Sequence, residues 1–177
     1  MNIKPLFPTP IGFFPNFLTS KERLQLIRSI KNFSHGSHGA LEGDGVSSHQ
    51  MYTDQRPPNI LDRNIKKRIQ IALDEYNNNC GNNLSQLDYT WSNIQNVGSK
   101  LREHVHPSSS VSGALYINVG EGSKLYFHNP NPYVFFTSYC QSTVYNYEHQ
   151  WIPVENCELI LFPSWLKHGK NDEINEI

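Results

Sequence analysis

The stretch His104-Val105-His106-Pro107-Ser108-Ser109-Ser110-Val111-Ser112-Gly113-Ala114-Leu115-Tyr116-Ile117-Asn118-Val119 opens with two histidines one residue apart and runs on into a strand-like apolar segment. On an extended strand, side chains at i and i+2 leave the same face. His104 and His106 can therefore address one ion while Val105 points away. Pro107 pushes His106 out of the helical region, which favours the extended reading. A second apolar run, Leu159-Ile160-Leu161-Phe162, leads through Pro163-Ser164-Trp165-Leu166-Lys167 to His168. Histidines at the ends of two strands are what a β-barrel with a metal in its mouth requires. Imidazoles on one side of an ion with the other side open suit non-haem Fe(II). In a chain with 8 His an isolated H-x-H also arises by chance, so the argument rests on the strands that flank it.

Away from this stretch the pattern divides in two. From about Leu87 the hydrophobic period is two, and strands are expected near 89–97, 111–119, 123–128, 133–137, 141–147 and 158–163, separated by Gly, Pro or Asn. Before Leu87 the period is helical. Thr19 with Glu22 reads as a capping box opening a helix whose stripe is Leu24, Leu26, Ile27 and Ile30. A second helix is expected from about Pro58 to Tyr76, on the stripe Leu61, Ile65, Ile69, Ala72, Leu73 and Tyr76, with Asn77-Asn78-Asn79 and Gly81-Asn82-Asn83 ending it. Residues 5–18 hold four prolines among apolar side chains and read as an extended arm or edge strand. Residues 35–58 read as loop with one short strand, its His35, His38 and His49 being solvated loop residues. Helices followed by short antiparallel strands give an α+β domain with the helices packed on one face of a β-sandwich.

At 177 residues the chain is one domain with room for a core, in two parts: arm and helices over 1–86, strands over 87–177. The net charge is −1 with Lys and Arg scattered, so no electrostatic footprint for nucleic acid or a membrane surface is visible. Aromatic residues make up 12% and favour a well-filled β-structure. Cys80, Cys140 and Cys157 are odd in number and lack C-x-x-C spacing, which reads as reduced thiols in a cytoplasmic protein. No apolar run reaches the ~18 residues of a membrane span, and the first residues carry no signal-peptide pattern. A Ser/His/Asp elbow, a phosphate loop and a paired-carboxylate arrangement are not found.

Six segments in order make a larger pattern: Phe7-Pro8-Thr9-Pro10-Ile11, Trp91 with Asn93 and Gly98, the His104/His106 pair with Pro107, Ser112-Gly113 with Tyr116, Leu125 to Pro130, and Leu161 to His168. Together they resemble the 2-oxoglutarate/Fe(II)-dependent oxygenases of marine bacteria and their phages, a branch of the prolyl-hydroxylase-like superfamily. The resemblance covers nearly the whole chain. It implies a double-stranded β-helix (jelly-roll) core with the N-terminal helices on one sheet. It also implies Fe(II) at the open end held by His104, His106 and His168, with 2-oxoglutarate chelating that iron. The activity implied is O2-dependent hydroxylation of an unidentified substrate.

Two departures from the superfamily pattern stand out. His106 takes the place usually held by Asp or Glu, so the ion keeps its full charge. Glu103, at an odd offset from His104, faces the other way. Such enzymes also carry Arg or Lys on the last strand to hold the far carboxylate of 2-oxoglutarate, where this chain has Asp172, Glu173 and Glu176. Either the chain is truncated or another cation serves, and Lys124 is the first substitute. Tyr116 and Asn118, on one strand face, and Asn93 are further candidates to line the cosubstrate pocket; a buried core tyrosine and a turn amide are their plainer readings. His128 and His149 read as surface or core histidines, and Trp165 as a packing residue at the mouth. Two other functions remain open: a cupin-like three-histidine dioxygenase without 2-oxoglutarate, and a non-catalytic jelly-roll binding module.

Overall fold

The computed structural model describes residues 1–49, 60–131, 133, 138, 140, 141 and 143–170. Three antiparallel sheets and two helices make up the regular structure of these residues. Helix α1 spans Ser20–Asn32 and begins as its sequence predicts: the Glu22 amide donates to Thr19 Oγ1 at 3.2 Å, and the Thr19 amide donates to Glu22 Oε2 at 2.8 Å. Helix α2 spans Arg63–Cys80, starting later and ending later than its apolar stripe suggests. Asp62 caps it by accepting from the amides of Asn64 and Ile65 at 2.8 and 2.9 Å. Asn77 is buried within the helix, and Gly81, at φ 68°, supplies the left-handed C-cap that the three asparagines do not. The expected start near Pro58 lies outside the described residues.

Strand β9 (Glu158–Pro163) organises the core. It lies between β1 (Gly12–Phe14) and β6 (Val111–Tyr116) in a three-stranded sheet. The N-terminal arm therefore supplies an edge strand, as its prolines allow. Successive β9 side chains alternate between two layers. Leu159 and Leu161 pack with Leu26, Ile65, Ile69, Ala72, Leu73 and Tyr76 of the helices. Ile160 and Phe162, fully buried, pack on the opposite side with Leu125, Phe127, Val154 and Leu166.

Leu125 and Phe127 belong to a five-stranded sheet in the order β2 (Leu41–Glu42), β5 (Lys100–His104), β10 (His168–Lys170), β7 (Lys124–His128), β8 (His149–Pro153). This sheet turns one face toward β9, while Tyr126 and His128 leave the other face. The third sheet pairs β3 (Val46–Ser47) with β4 (Asn93–Ile94). The expected strand over 89–97 is thus only two residues long. The region 35–58 contributes two short strands rather than one among its described residues. Val144 to Asn146 form a turn, and the strand expected at 141–147 begins instead at His149. Most of the expected strand 133–137 lies outside the described residues.

Candidate metal centre

Strand β5 ends at His104, and the chain stays extended through His106, whose amide donates to the Ser164 carbonyl at 3.0 Å. That bond ties the H-x-H segment to the turn between β9 and β10. His168 opens β10 and stands in register with His104 on one side and Phe127 on the other. Side chains paired across neighbouring strands share a face, so both histidines turn toward the interior layer. The three rings gather closely: centroids are 4.5 Å apart for His104 and His168, 4.9 Å for His104 and His106, and 5.1 Å for His106 and His168. One nitrogen from each lies within 4.8 Å of the others. Val105 is exposed, pointing away as the alternation requires.

The tautomers follow from the neighbours. Carbonyl oxygens only accept, so Nδ1–H of His104 donates to Arg102 O and Nδ1–H of His168 donates to Leu166 O, each at 2.8 Å. Both rings therefore present an Nε2 lone pair to the cluster, held in orientation by the backbone carbonyls as metal-binding histidines are. His106 Nε2 lies 3.2 Å from His168 Nε2. Two nitrogens each ~2.1 Å from one ion at right-angled to tetrahedral geometry stand roughly 3.0–3.4 Å apart, so this pair is already spaced as metal ligands are. Burial, with the neighbouring histidines adding to it, pushes His106 down to about 4. His168 is likewise pushed to about 4 by burial, against the opposing effect of its bond to Leu166. Both are neutral near pH 7, the form that can bind a metal.

An aromatic wall that the sequence does not reveal closes one side. Trp91 lies 5.7 Å from His106 and 5.0 Å from His49, and His49 lies 5.3 Å from His38 and 6.2 Å from Tyr89, all between ring centroids. His38 and His49 are thus packed beside the cluster rather than solvated, and burial followed by its histidine neighbours lowers the pKa of His38. His49 Nδ1 is buried with no hydrogen-bonding partner among the described residues. His35 is also structural: its Nδ1–H donates to Phe33 O and its Nε2 accepts from the Ser92 hydroxyl at 2.7 Å. Only Trp91, through its motif with Asn93 and Gly98, was signalled in the sequence.

Of the remaining sequence candidates, only Tyr116 faces the interior layer. Tyr116 lies on the same side of β6 as Ser112, whose hydroxyl contacts that of Ser164 at 2.8 Å, and burial raises its pKa. Its ring packs against the interior layer toward the far end of β6. Asn118 lies beyond the end of β6, exposed, with its side-chain oxygen accepting from Arg23 of α1. Asn93 is exposed in β4. Lys124 pairs with Pro153 at the end of β7 remote from His128 and leaves the face opposite Leu125, so the strand carries it away from the three histidines. Trp165 is 58% exposed in the turn before His168 and does not pack as expected. His128 and His149 leave the outer face of the sheet, with Glu103 between them and Lys167.

Residues 89–175 match the family model described as "Putative 2OG-Fe(II) oxygenase". No curated protein matches this sequence. Among solved structures, the chain is similar to a prolyl hydroxylase from Trichoplax adhaerens in complex with a hypoxia inducible factor oxygen degradation domain peptide fragment. That likeness has 15% identity and a TM-score of 0.49, over 93% of this chain and 78% of the other.

Proposed function

Residues 89–175 belong to the 2OG-Fe(II) oxygenase family, and on that premise we propose that this Fe(II)- and 2-oxoglutarate-dependent dioxygenase holds its iron with His104, His106 and His168. One observation carries the assignment: Arg102 O and Leu166 O fix two of the three rings so that Nε2 lone pairs converge, while burial keeps two of the three neutral. With both groups bound, Fe(II) and 2-oxoglutarate would supply the reaction with O2 in which 2-oxoglutarate is oxidised to succinate and CO2, one oxygen atom entering succinate and the other a substrate C–H bond.

The protein's part is to place and dry the site. Phe162 packs against His168 at 4.5 Å between centroids and Phe127 follows at 6.3 Å, so the inner side of the ligand set is closed to water. Trp91 and His49 form a further side. A set of three neutral imidazoles leaves the ion's charge uncompensated. Such a set would leave it to an anionic cosubstrate to offset that charge, as a protein carboxylate does elsewhere. Tyr116, on the inner face of β6, is the group assigned to position the cosubstrate. The facing sheets, with Ile160, Phe162, Leu125 and Phe127 between them and the histidines at one end, support a double-stranded β-helix built as a single domain. A cytoplasmic setting is part of this reading, from the odd number and spacing of Cys80, Cys140 and Cys157. Among the described residues no helix is long and apolar enough to cross a membrane.

The test is anaerobic loading with Fe(II), then addition of 2-oxoglutarate while watching for the metal-to-ligand absorption band, followed by O2 and measurement of succinate. His104→Ala and His168→Ala should each abolish the band and remove the iron equivalent held by this cluster while the far-ultraviolet circular dichroism stays as in the wild type. Tyr116→Phe should keep the iron and weaken 2-oxoglutarate binding. Unchanged iron stoichiometry in both histidine variants would sink the ligand assignment.

A further inference from the structure

We propose that Glu103, His128 and His149 form a second divalent-metal site, on the outer face of the five-stranded sheet, suited to Zn(II) or a cation of similar softness. The three residues come from β5, β7 and β8, and alternation along each strand puts them behind the histidine cluster rather than in it. Glu103 adjoins the inward His104 and His128 adjoins the inward Phe127, while His149 stands directly opposite His128 in the ladder.

Distances carry the argument. His128 Nδ1 lies 3.1 Å from His149 Nε2, and each lies 3.6 Å from Glu103 Oε1. At 3.6 Å the carboxylate oxygen is beyond hydrogen-bonding range of either ring. Three donors around one Zn(II) at ~2.0–2.2 Å stand roughly 3.0–3.6 Å from each other, so the observed triangle has the size an ion imposes. Two imidazoles and a carboxylate are also a donor set that borderline transition cations prefer. The second carboxylate oxygen is held elsewhere: Lys167 Nζ donates to Glu103 Oε2 at 2.7 Å. That bond fixes the carboxylate and leaves Oε1 facing the rings, as hydrogen-bond partners of metal-binding carboxylates do.

Charge and packing agree with this. Lys167 brings one positive charge, but Glu148 Oε1 lies 3.8 Å from His149 Nε2 and supplies a further negative one. Tyr126 packs on His149 at 4.9 Å and stacks on Trp151 at 5.0 Å, which holds the His149 ring in place. The ligands are 25–30% exposed, enough for a cation to enter from solvent and for a water to complete its shell. An ion there would clip β5, β7 and β8 together across β10. It would also restrain the strand whose next residue is His104.

Zn(II) titration of chelator-stripped protein, read by competition with a chromophoric chelator, tests the site. Wild type should bind two equivalents. The pair His128→Ala with His149→Ala should bind one, and His104→Ala with His168→Ala should also bind one, so failure of either site is told apart from failure of the other. If the alanine pair at 128 and 149 does not fold, Glu103→Gln keeps the side-chain shape and should weaken the second equivalent by at least roughly tenfold. A wild type that binds a single equivalent untouched by the changes at 128 and 149 overturns the proposal. So does a second equivalent whose affinity Glu103→Gln leaves unchanged.

Discussion

Burial holds His106 and His168 at a pKa of about 4, against 6.5 for an ordinary imidazole, and this sets how the metal-free protein meets acid. Between pH 6.5 and 4 the unfolded chain binds up to two more protons than the folded one, so stability rises with pH through that window and falls as pH is lowered. Above pH 6.5 these two histidines contribute no slope. Urea denaturation of the metal-free protein at several pH values between 4 and 7 checks this, and a flat profile would mean that the rings are solvated when folded. A second residue-scale expectation concerns Gly169. A Cβ there would lie 2.6 Å from Leu101 O and 3.2 Å from the Arg102 backbone, because β5 and β10 approach that closely beside a register shift. Gly169→Ala should cost about 1–3 kcal/mol and, by pushing His104 away from His168, reduce iron affinity. Calorimetry and an iron titration on the same variant measure both effects. At this scale the H-x-H pair was legible because strand alternation is a local rule. The placing of His38 and His49 was not, since a loop's packing against Trp91 depends on contacts that no local period encodes.

Helix ends show the same division at the scale of elements. Thr19 and Glu22 announce α1 by chemistry confined to one turn, and Thr19→Ala should cost about 1 kcal/mol in thermal or denaturant unfolding. Asp62 satisfies two amides, and Asp62→Ala should cost about 1–2 kcal/mol by the same measurement. The end of α2 was misplaced because asparagine is a poor helix former. Burial of Asn77, whose amide donates to the Ser85 hydroxyl at 2.9 Å, outweighs that weak preference and carries the helix to Gly81. Strand β8 was misplaced for a related reason: Val144, Tyr145 and Tyr147 suggest alternation, yet Asn146 and Thr143 hydrogen-bond each other into a turn. Strand β5 has its own sensitivity. Glu103 faces out and His104 faces in, so a one-residue insertion within β5 would exchange the two faces. Iron and zinc binding should then both be lost while helix content persists, which metal titrations and circular dichroism on the insertion variant would reveal.

For the whole molecule, β9 ties everything together, since its two faces serve the helices and the second sheet in turn. Ile160 is fully buried, and Ile160→Ala should cost about 2–5 kcal/mol in denaturant unfolding. Periodicity in the sequence pointed to α1 and α2, to strands at β6, β7 and β9, and to a shared face for His104 and His106. It did not disclose how sheets pair strands far apart in the chain. Glu103, His128 and His149 therefore stay invisible as a group until β5, β10, β7 and β8 are laid side by side. That order has a kinetic corollary. Strand β10 is the last of the described strands in the chain, yet it occupies the middle of its sheet, between β5 and β7. A nascent chain can form β7 with β8 early, but the gap beside them fills only when the segment bearing His168 arrives, and such long-range closure is slow. Metal capture thus becomes a clock for folding: in refolding from denaturant, the iron-dependent absorption should emerge with the slowest phase and never ahead of it.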